Sequence, residues 1–292
     1  MGQPKTVTEV DCGVDYLTCT FKPSCMFTRL RIRIEKIAQS EIRLGNFKRE
    51  WSMCGYDGFK VGGLECGTRD DGMIVRLSGP TAQDHWRKIG SLADNCSRID
   101  LQVTVLTEEP CSQTISRHWK EMKRWTKQKQ RRPEVTLIAN QEGAGTIYSG
   151  KRQSLSFLRC YSRYSKTKNP QMKNHLRYEV EYKSELAKEV LRTLLTTRSC
   201  LHICREQCQA MFSVRGCRLQ LTQTAVARIR VPRTTTDVIG RLQWLNEAVR
   251  GTIEQLCESG HESEVIDALN LTSYFDVRPS RSVTRERTRN AA

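Results

Sequence analysis

No apolar run in the 292 residues approaches the roughly 18 that a spanning helix needs. The first residues, Met-Gly-Gln-Pro-Lys-Thr-Val-Thr, also lack a charged-then-apolar signal pattern, so the chain is expected to stay in the cytoplasm without a membrane partner. Histidine is scarce. His85, His118, His175, His202 and His261 are scattered, with no His-x-His pair and no His-Glu-x-x-His, and Gly-x-Ser-x-Gly is missing too. Those absences exclude histidine-paired metal chemistry and the common hydrolase nucleophile. No internal repeat occurs, which excludes a solenoid. Acidic residues are few against basic ones, 32 to 48, leaving a formal charge of +16. Such a balance favours a polyanion, bound through counterion release. Cysteine is abundant, at 13 residues. Without a signal pattern these read as reduced thiols.

Residues 1–25 are polar and interrupted by Pro4, Gly13, Asp15 and Pro23, which suggests an N-terminal arm. From Phe27 to Ile37, Leu30, Ile32 and Ile34 alternate with arginines, as in a half-buried strand, although a helix could begin at Glu35. The glycine-rich stretch from Gly55 to Gly72 suggests a hairpin, and Met73–Leu77 a strand. Thr81 can cap a helix to about Asp94, and Ser112–Lys129 reads as a helix ended by Pro133. Val135–Ala139 and Thr146–Tyr148 read as strands, Ser184 to about Met211 as one long helix, and Leu219–Val231 as a further strand. Helices are expected from Thr234 through Leu256 and over Ser263–Leu269, followed by a disordered basic tail from Asp276. The order predicts an α+β fold: a mainly antiparallel central sheet with helices packed on one face and a helical C-terminal part. The expected boundaries are an arm over 1–25, a main domain over 26–231, a helical segment over 232–275 and a tail over 276–292.

Three strands carry the candidate chemistry: Arg98–Leu106, Ser156–Tyr161 and Leu176–Lys183. Side-chain parity puts Asp100, Gln102 and Thr104 opposite Ile99, Leu101 and Val103. The same rule puts Glu179 and Glu181 opposite Tyr178, Val180 and Tyr182, and Arg159 with Tyr161 opposite Leu158 and Cys160. If the apolar faces pack on helices, the polar faces form one open surface. Asp100, Glu179 and Glu181 then make an oxygen-rich site suited to Mg²⁺ or Mn²⁺. The same pattern also fits a solvated charged face with cross-strand ion pairs. Tyr148, Tyr161 and Tyr164 compete as nucleophiles, and Tyr161 has the matching parity. A phenol attacks phosphate once a metal or base stabilises its phenolate, and Arg159 could grip that phosphate.

Asp71-Gly-Met-Ile-Val-Arg-Leu-Ser-Gly79, Arg98-Ile-Asp100, Thr146-Ile-Tyr-Ser-Gly-Lys-Arg-Gln-Ser154, Leu158-Arg-Cys-Tyr161, Leu176-Arg-Tyr-Glu-Val-Glu181 and Arg241-Leu-Gln-Trp-Leu245 follow one another in order. This series, over roughly residues 70–255, resembles the replication initiation factor family of rolling-circle plasmids and filamentous phages, of the type with an acidic metal site. The resemblance implies a metal-dependent DNA nicking-closing endonuclease: a tyrosine nicks one strand, keeps the 5′-phosphate as phosphotyrosine and frees a 3′-hydroxyl to prime replication. It implies that residues 26–231 are the nickase domain, with Tyr161 or Tyr164 as nucleophile, Arg159 on the phosphate and Asp100, Glu179 and Glu181 on magnesium or manganese. The family pattern has Tyr-Asp-Lys where this chain has Tyr161-Ser-Arg163, which leaves both tyrosines in play. The implied partner is a replication origin, single-stranded or extruded as a hairpin, in a bacterial host cytoplasm. A host helicase and a second copy of the chain are further candidate partners.

Gly145 to Lys151 approaches a P-loop, but Arg152 stands where a hydroxyl must bind Mg²⁺. Lys151 and Arg152 instead suit a turn that touches DNA phosphate. Lys120, Lys123, Arg124 and Lys127 give the Ser112–Lys129 helix a basic face for the DNA backbone. Cys200, Cys204 and Cys208 share one helical face, where packing is commoner than metal binding. A non-enzymatic DNA-binding regulator on the same scaffold is the alternative function, and an RNA-binding protein a third.

Overall fold

The computed structural model describes residues 8–23, 27–128, 134–139, 145–217, 219, 221–222, 228–230, 250–261 and 263–265. The chain divides into two units, residues 1–231 and 232–292. In the second, Arg250–Glu258 is helical, and so are residues 263–265, the described start of the expected Ser263–Leu269 helix. The expected helical start at Thr234 and the basic tail lie outside the described residues.

The first unit holds one ten-stranded sheet, and every neighbouring pair is antiparallel. Its strands are β1 (Thr8–Phe21), β2 (Arg49–Met53), β3 (Tyr56–Val61), β4 (Leu64–Arg69), β5 (Gly72–Ser78), β6 (Asn95–Leu106), β7 (Val135–Ile138), β8 (Thr146–Ser149), β9 (Ser156–Ser162) and β10 (His175–Lys183). They lie in the order β2-β3-β4-β5-β1-β6-β10-β9-β8-β7. The helices are α1 (Phe27–Arg43), α2 (Gly79–Gly90), α3 (Cys111–Gln128), the short α4 (Arg163–Thr167), α5 (Ser184–Thr196) and α6 (Cys200–Ser213). The α+β architecture expected from the sequence is the one observed.

Alternation explains β6 and β10. Ile99, Leu101, Val103 and Val105 turn to the same side as Leu176, Tyr178, Val180 and Tyr182, and all eight are buried. That side is covered by α5 through Ala187, Val190 and Leu194, and by α6 through Cys204, Cys208, Met211 and Phe212. Tyr178 meets Phe212 edge-on, with ring centroids 5.2 Å apart. Cys204 and Cys208 are therefore core residues, and Cys200 is half-buried at the helix start.

Five expectations are corrected. Residues 8–21 form no arm: β1 lies mid-sheet between β5 and β6. Phe27–Ile37 is not a strand but the start of α1, whose buried Leu30, Ile34, Ile37, Ala38 and Glu41 follow the helical period, while Ile32 is exposed. The Ser184–Met211 helix breaks after Thr196, and Ser199 re-caps the chain by accepting from the His202 backbone N–H. Thr81 caps nothing: α2 starts at Gly79, and the buried Thr81 hydroxyl donates to Glu41. Of Leu219–Val231, residues 219, 221–222 and 228–230 are irregular rather than strand; the others lie outside the described residues.

Candidate active site

The site is built on the sheet face opposite α5 and α6. Cross-strand register sets Asp100 beside Glu181, Glu179 beside both Gln102 and Arg159, and Arg177 beside both Thr104 and Tyr161. Thus the five residues read from strand parity converge: Asp100, Arg159, Tyr161, Glu179 and Glu181.

The expected open polar surface is corrected to a buried one. Asp100, Glu179 and Tyr161 are only 1–2 % exposed, and Gln102, Thr104, Arg177 and Glu181 are buried with them. Such burial demands that every charge be matched. Arg98 grips Asp100 with two hydrogen bonds of 2.8 and 2.6 Å and reaches Glu181 at 2.9 Å. Arg159 donates to Asp100 at 2.7 Å and sets its Nε 3.0 Å from Glu179. Lys183 pairs with Glu181 at 2.9 Å. The Tyr161 hydroxyl donates to Glu179 Oε1.

The sequence reading missed the contribution of β1. A register shift between Val14 and Tyr16 inserts Asp15, a bulge of the kind that re-aims side chains beside functional sites. Asp11 and Asp15 then receive Arg177 at 2.9 and 3.0 Å, and Thr104 receives its Nε at 2.9 Å. The Tyr16 ring lies 4.2 Å under the Arg98 guanidinium. Apolar Val14, Leu17, Cys19 and Phe21 on the core side were the available signal. Lys166, from α4, covers the Tyr161 ring at 4.2 Å.

Burial dominates the titration of this pocket. It pushes the Asp100 carboxyl up to about 6, against the pull of Arg98 and Arg159. It also raises Asp15, with help from the Glu179 charge. The Tyr161 phenol is raised above its ordinary value by burial, then by the Glu179 charge and hydrogen bond. Lys166 is lowered by burial, against the pull of Glu179.

The other expected residues divide by position. Tyr164 sits half-buried on α4, three residues from Tyr161, with Lys168 above its ring at 5.9 Å. Tyr148 stacks on Phe157 at 5.7 Å. Lys151 and Arg152 are exposed, and the Arg152 guanidinium lies 6.0 Å over Phe157, on the site's side of the sheet. Lys120, Arg124 and Lys127 are exposed and Lys123 is half-buried on α3. That helix lies on the opposite side, because its His118 meets the Tyr178 hydroxyl on the core side. The α3 basic face is therefore separated from the tyrosine and carboxylates by the sheet.

The donor set fits a hard divalent cation in kind. Three carboxylates share one pocket, and Asp100 keeps a raised carboxyl even with two guanidinia upon it, so added positive charge would stabilise its ionised form. Spacing is set by the guanidinia lying among the oxygens. Among the described residues, the trio of metal-capable groups with donor atoms all within 4.8 Å is a different one, His118, Glu121 and Cys217.

No family model matches the sequence, and neither does any curated protein. A solved structure does match: that of the rolling circle replication initiator protein from Geobacillus stearothermophilus. The two superpose with a TM-score of 0.52 at 18% identity, over 82% of this chain and 97% of that one. At that identity the likeness is one of fold.

Proposed function

We propose that this protein is a rolling-circle replication initiator, a site-specific single-strand DNA endonuclease and strand transferase. One observation carries the reading: a tyrosine hydroxyl donates to a buried carboxylate, Glu179, on the sheet face where Asp100, Glu181 and Arg159 also converge. The fold shared with the Geobacillus initiator supports it.

In this reading Tyr161 Oη attacks the scissile phosphorus. Its proton passes to Glu179, the P–O3′ bond breaks, and the departing 3′-oxygen takes up a proton to become the priming hydroxyl. The 5′-phosphate stays on the tyrosine until a later 3′-hydroxyl reclaims it. Arg159 grips the phosphate, and Lys151 and Arg152 position the strand beside it. Asp100 and Glu181, with an oxygen of Glu179, would hold Mg²⁺ or Mn²⁺, which supplies charge to the phosphate oxygens when bound. Tyr161 must be uncovered by a shift of Lys166 and α4 before DNA can reach it. Half-exposed Tyr164 is the competing nucleophile within the same reading.

The test is covalent capture on labelled single-stranded and hairpin oligonucleotides tiled across the replicon that encodes the chain, with Mn²⁺. A protein–DNA adduct is expected. Its absence in every divalent cation would end the enzymatic reading. A second reading, a non-enzymatic DNA-binding regulator, is favoured by the charge matching of the three carboxylates. Salt-sensitive, EDTA-indifferent binding without cleavage would establish it.

A further inference from the structure

A second cluster lies on the core side of the sheet, away from the tyrosine. His118 and Glu121 are three residues apart on α3, so their side chains leave the helix on neighbouring lines. Cys217 comes to them from the turn that closes α6. There the backbone N–H groups of Arg215 and Cys217 both donate to the Phe212 carbonyl, and Gly216 adopts φ +82°. A Cβ at Gly216 would fall 2.3 Å from the Trp125 Cβ, so glycine is what lets this turn lie directly on α3. The result is a histidine nitrogen, a carboxylate oxygen and a thiol sulfur all within 4.8 Å of one another.

Such a trio could be ordinary packing, since buried thiols usually behave as small apolar groups. The imidazole argues otherwise. His118 is 6 % exposed, and its Nε2 is held by the Tyr178 hydroxyl at 2.9 Å. Its buried Nδ1 makes no hydrogen bond and points toward the Glu121 carboxylate at 3.5 Å. A buried ring nitrogen without a hydrogen bond calls for an explanation. One nitrogen oriented by a polar partner and the other bare is the arrangement of a ligating histidine.

We propose that His118 Nδ1, the Glu121 carboxylate and Cys217 Sγ bind a zinc ion that pins α3 to the turn after α6. The mixed nitrogen, sulfur and oxygen set selects zinc over magnesium, which takes oxygen alone. Zinc–ligand bonds of about 2.0–2.3 Å imply donor separations of roughly 3.3–3.8 Å in a tetrahedron. The His118–Glu121 spacing of 3.5 Å already lies in that range. Glu121 is 35% exposed and lines a groove of about 560 Å³ with Ser116, Arg117 and Lys120. The ion would fix the helix that carries Lys120, Lys123 and Arg124 on its outer side. Its role is structural and independent of the tyrosine site.

The experiment is metal analysis of the full chain purified without chelator and reloaded with zinc, followed by cobalt substitution. One zinc per chain is expected, with a thiolate-to-cobalt charge-transfer band and a lower thermal midpoint after chelation. Cys217→Ser should abolish the band. Glu121→Gln, at the solvent side, should fold as shown by circular dichroism and weaken zinc binding about tenfold or more. Asp100→Asn should leave the zinc content unchanged. A wild-type chain that takes up no zinc would overturn the proposal. So would a cobalt complex without sulfur absorption, or zinc affinity unchanged in both Cys217→Ser and Glu121→Gln.

Discussion

Replacing Tyr161 by Phe removes one oxygen and leaves the ring in place. The ring is buried on the sheet with Lys166 above it, and phenylalanine preserves both contacts. What disappears is a buried hydrogen bond to an ionised carboxylate, a class that contributes about 1.5–3 kcal/mol. Glu179 keeps the Arg159 Nε at 3.0 Å, so its charge is not left unmatched and the loss should fall near the middle of that range, about 2 kcal/mol. In a unit of 231 residues each kcal/mol moves the thermal midpoint by about 2–4 °C, so the shift should be about 4–8 °C. Covalent capture should fall to background, because the oxygen that would attack the phosphorus is gone. Tyr164→Phe is the control: on α4 its ring is half-exposed, and the change should cost less than about 0.5 kcal/mol and leave the adduct intact. Differential scanning calorimetry and denaturing-gel capture read the two effects separately. An undiminished adduct with Tyr161→Phe would refute the assigned nucleophile. A midpoint unchanged within about 2 °C would refute the hydrogen-bond argument.

Asp100 titrates at about 6 in the fold, above an unfolded value of about 3.9. Its protonated form is therefore the one the fold favours, so stability from this group is full below about 4 and lost as pH rises through about 6. Cleavage needs the ionised form and should fall as pH drops through about 6. Added Mn²⁺ should move that limb lower, and a limb that ignores Mn²⁺ would separate Asp100 from the cation; Asp100→Asn should also flatten the pH dependence of melting. Arg177→Met should cost about 1–3 kcal/mol by removing the buried cation that half-exposed Asp11 and Asp15 share, and Arg177→Lys should not restore it, because three partners are bound by one fork. Chemical denaturation of both variants would measure this. Replacing Lys120, Lys123 and Arg124 together by Ala should lower the log–log salt slope of single-strand binding by about 2. The cleavage rate at saturating DNA should not change, since α3 lies across the sheet from Tyr161.

The strands that meet in the site were legible because a period of two fixes the face of every residue. Asp100, Glu179, Glu181, Arg159 and Tyr161 followed from that alone. Which cation meets which carboxylate was not legible, because parity gives a face and not a reach: Arg98 bends back two residues to Asp100, while Arg177 crosses to β1. The strand β1 itself was hidden by its bulges, since an inserted residue breaks alternation and Gly13 and Asp15 imitate a turn. In α1, arginine alternates with aliphatics for six residues and satisfies both periods, so only the longer run to Ala38 and Glu41 distinguishes the helix. The gap between α5 and α6 holds Thr197, Arg198 and Ser199, with neither glycine nor proline to mark it.

The enzymatic and regulatory readings differ in the fate of two arginines. Asp11, Asp15, Asp100, Glu179 and Glu181 are met by Arg98, Arg159, Arg177, Lys166 and Lys183, so the pocket is close to charge balance. A phosphate entering such a pocket gains little from its net field and is repelled by each carboxylate near it. It can be held only if guanidinium is released to it, and a guanidinium can leave only if another cation takes over the carboxylate it abandons. Arg177 is 5 % exposed and cannot make that exchange without unfolding β1 from the site. Arg98 and Arg159 are more exposed, at 27 and 20 %. In the enzymatic reading, catalysis would therefore require these two side chains to pass from carboxylate to phosphate, with Asp100, Glu179 and Glu181 then free to hold a divalent ion. A pocket whose arginines stay on Asp100 can bind DNA only outside it, through Lys151, Arg152 and the outer face of α3.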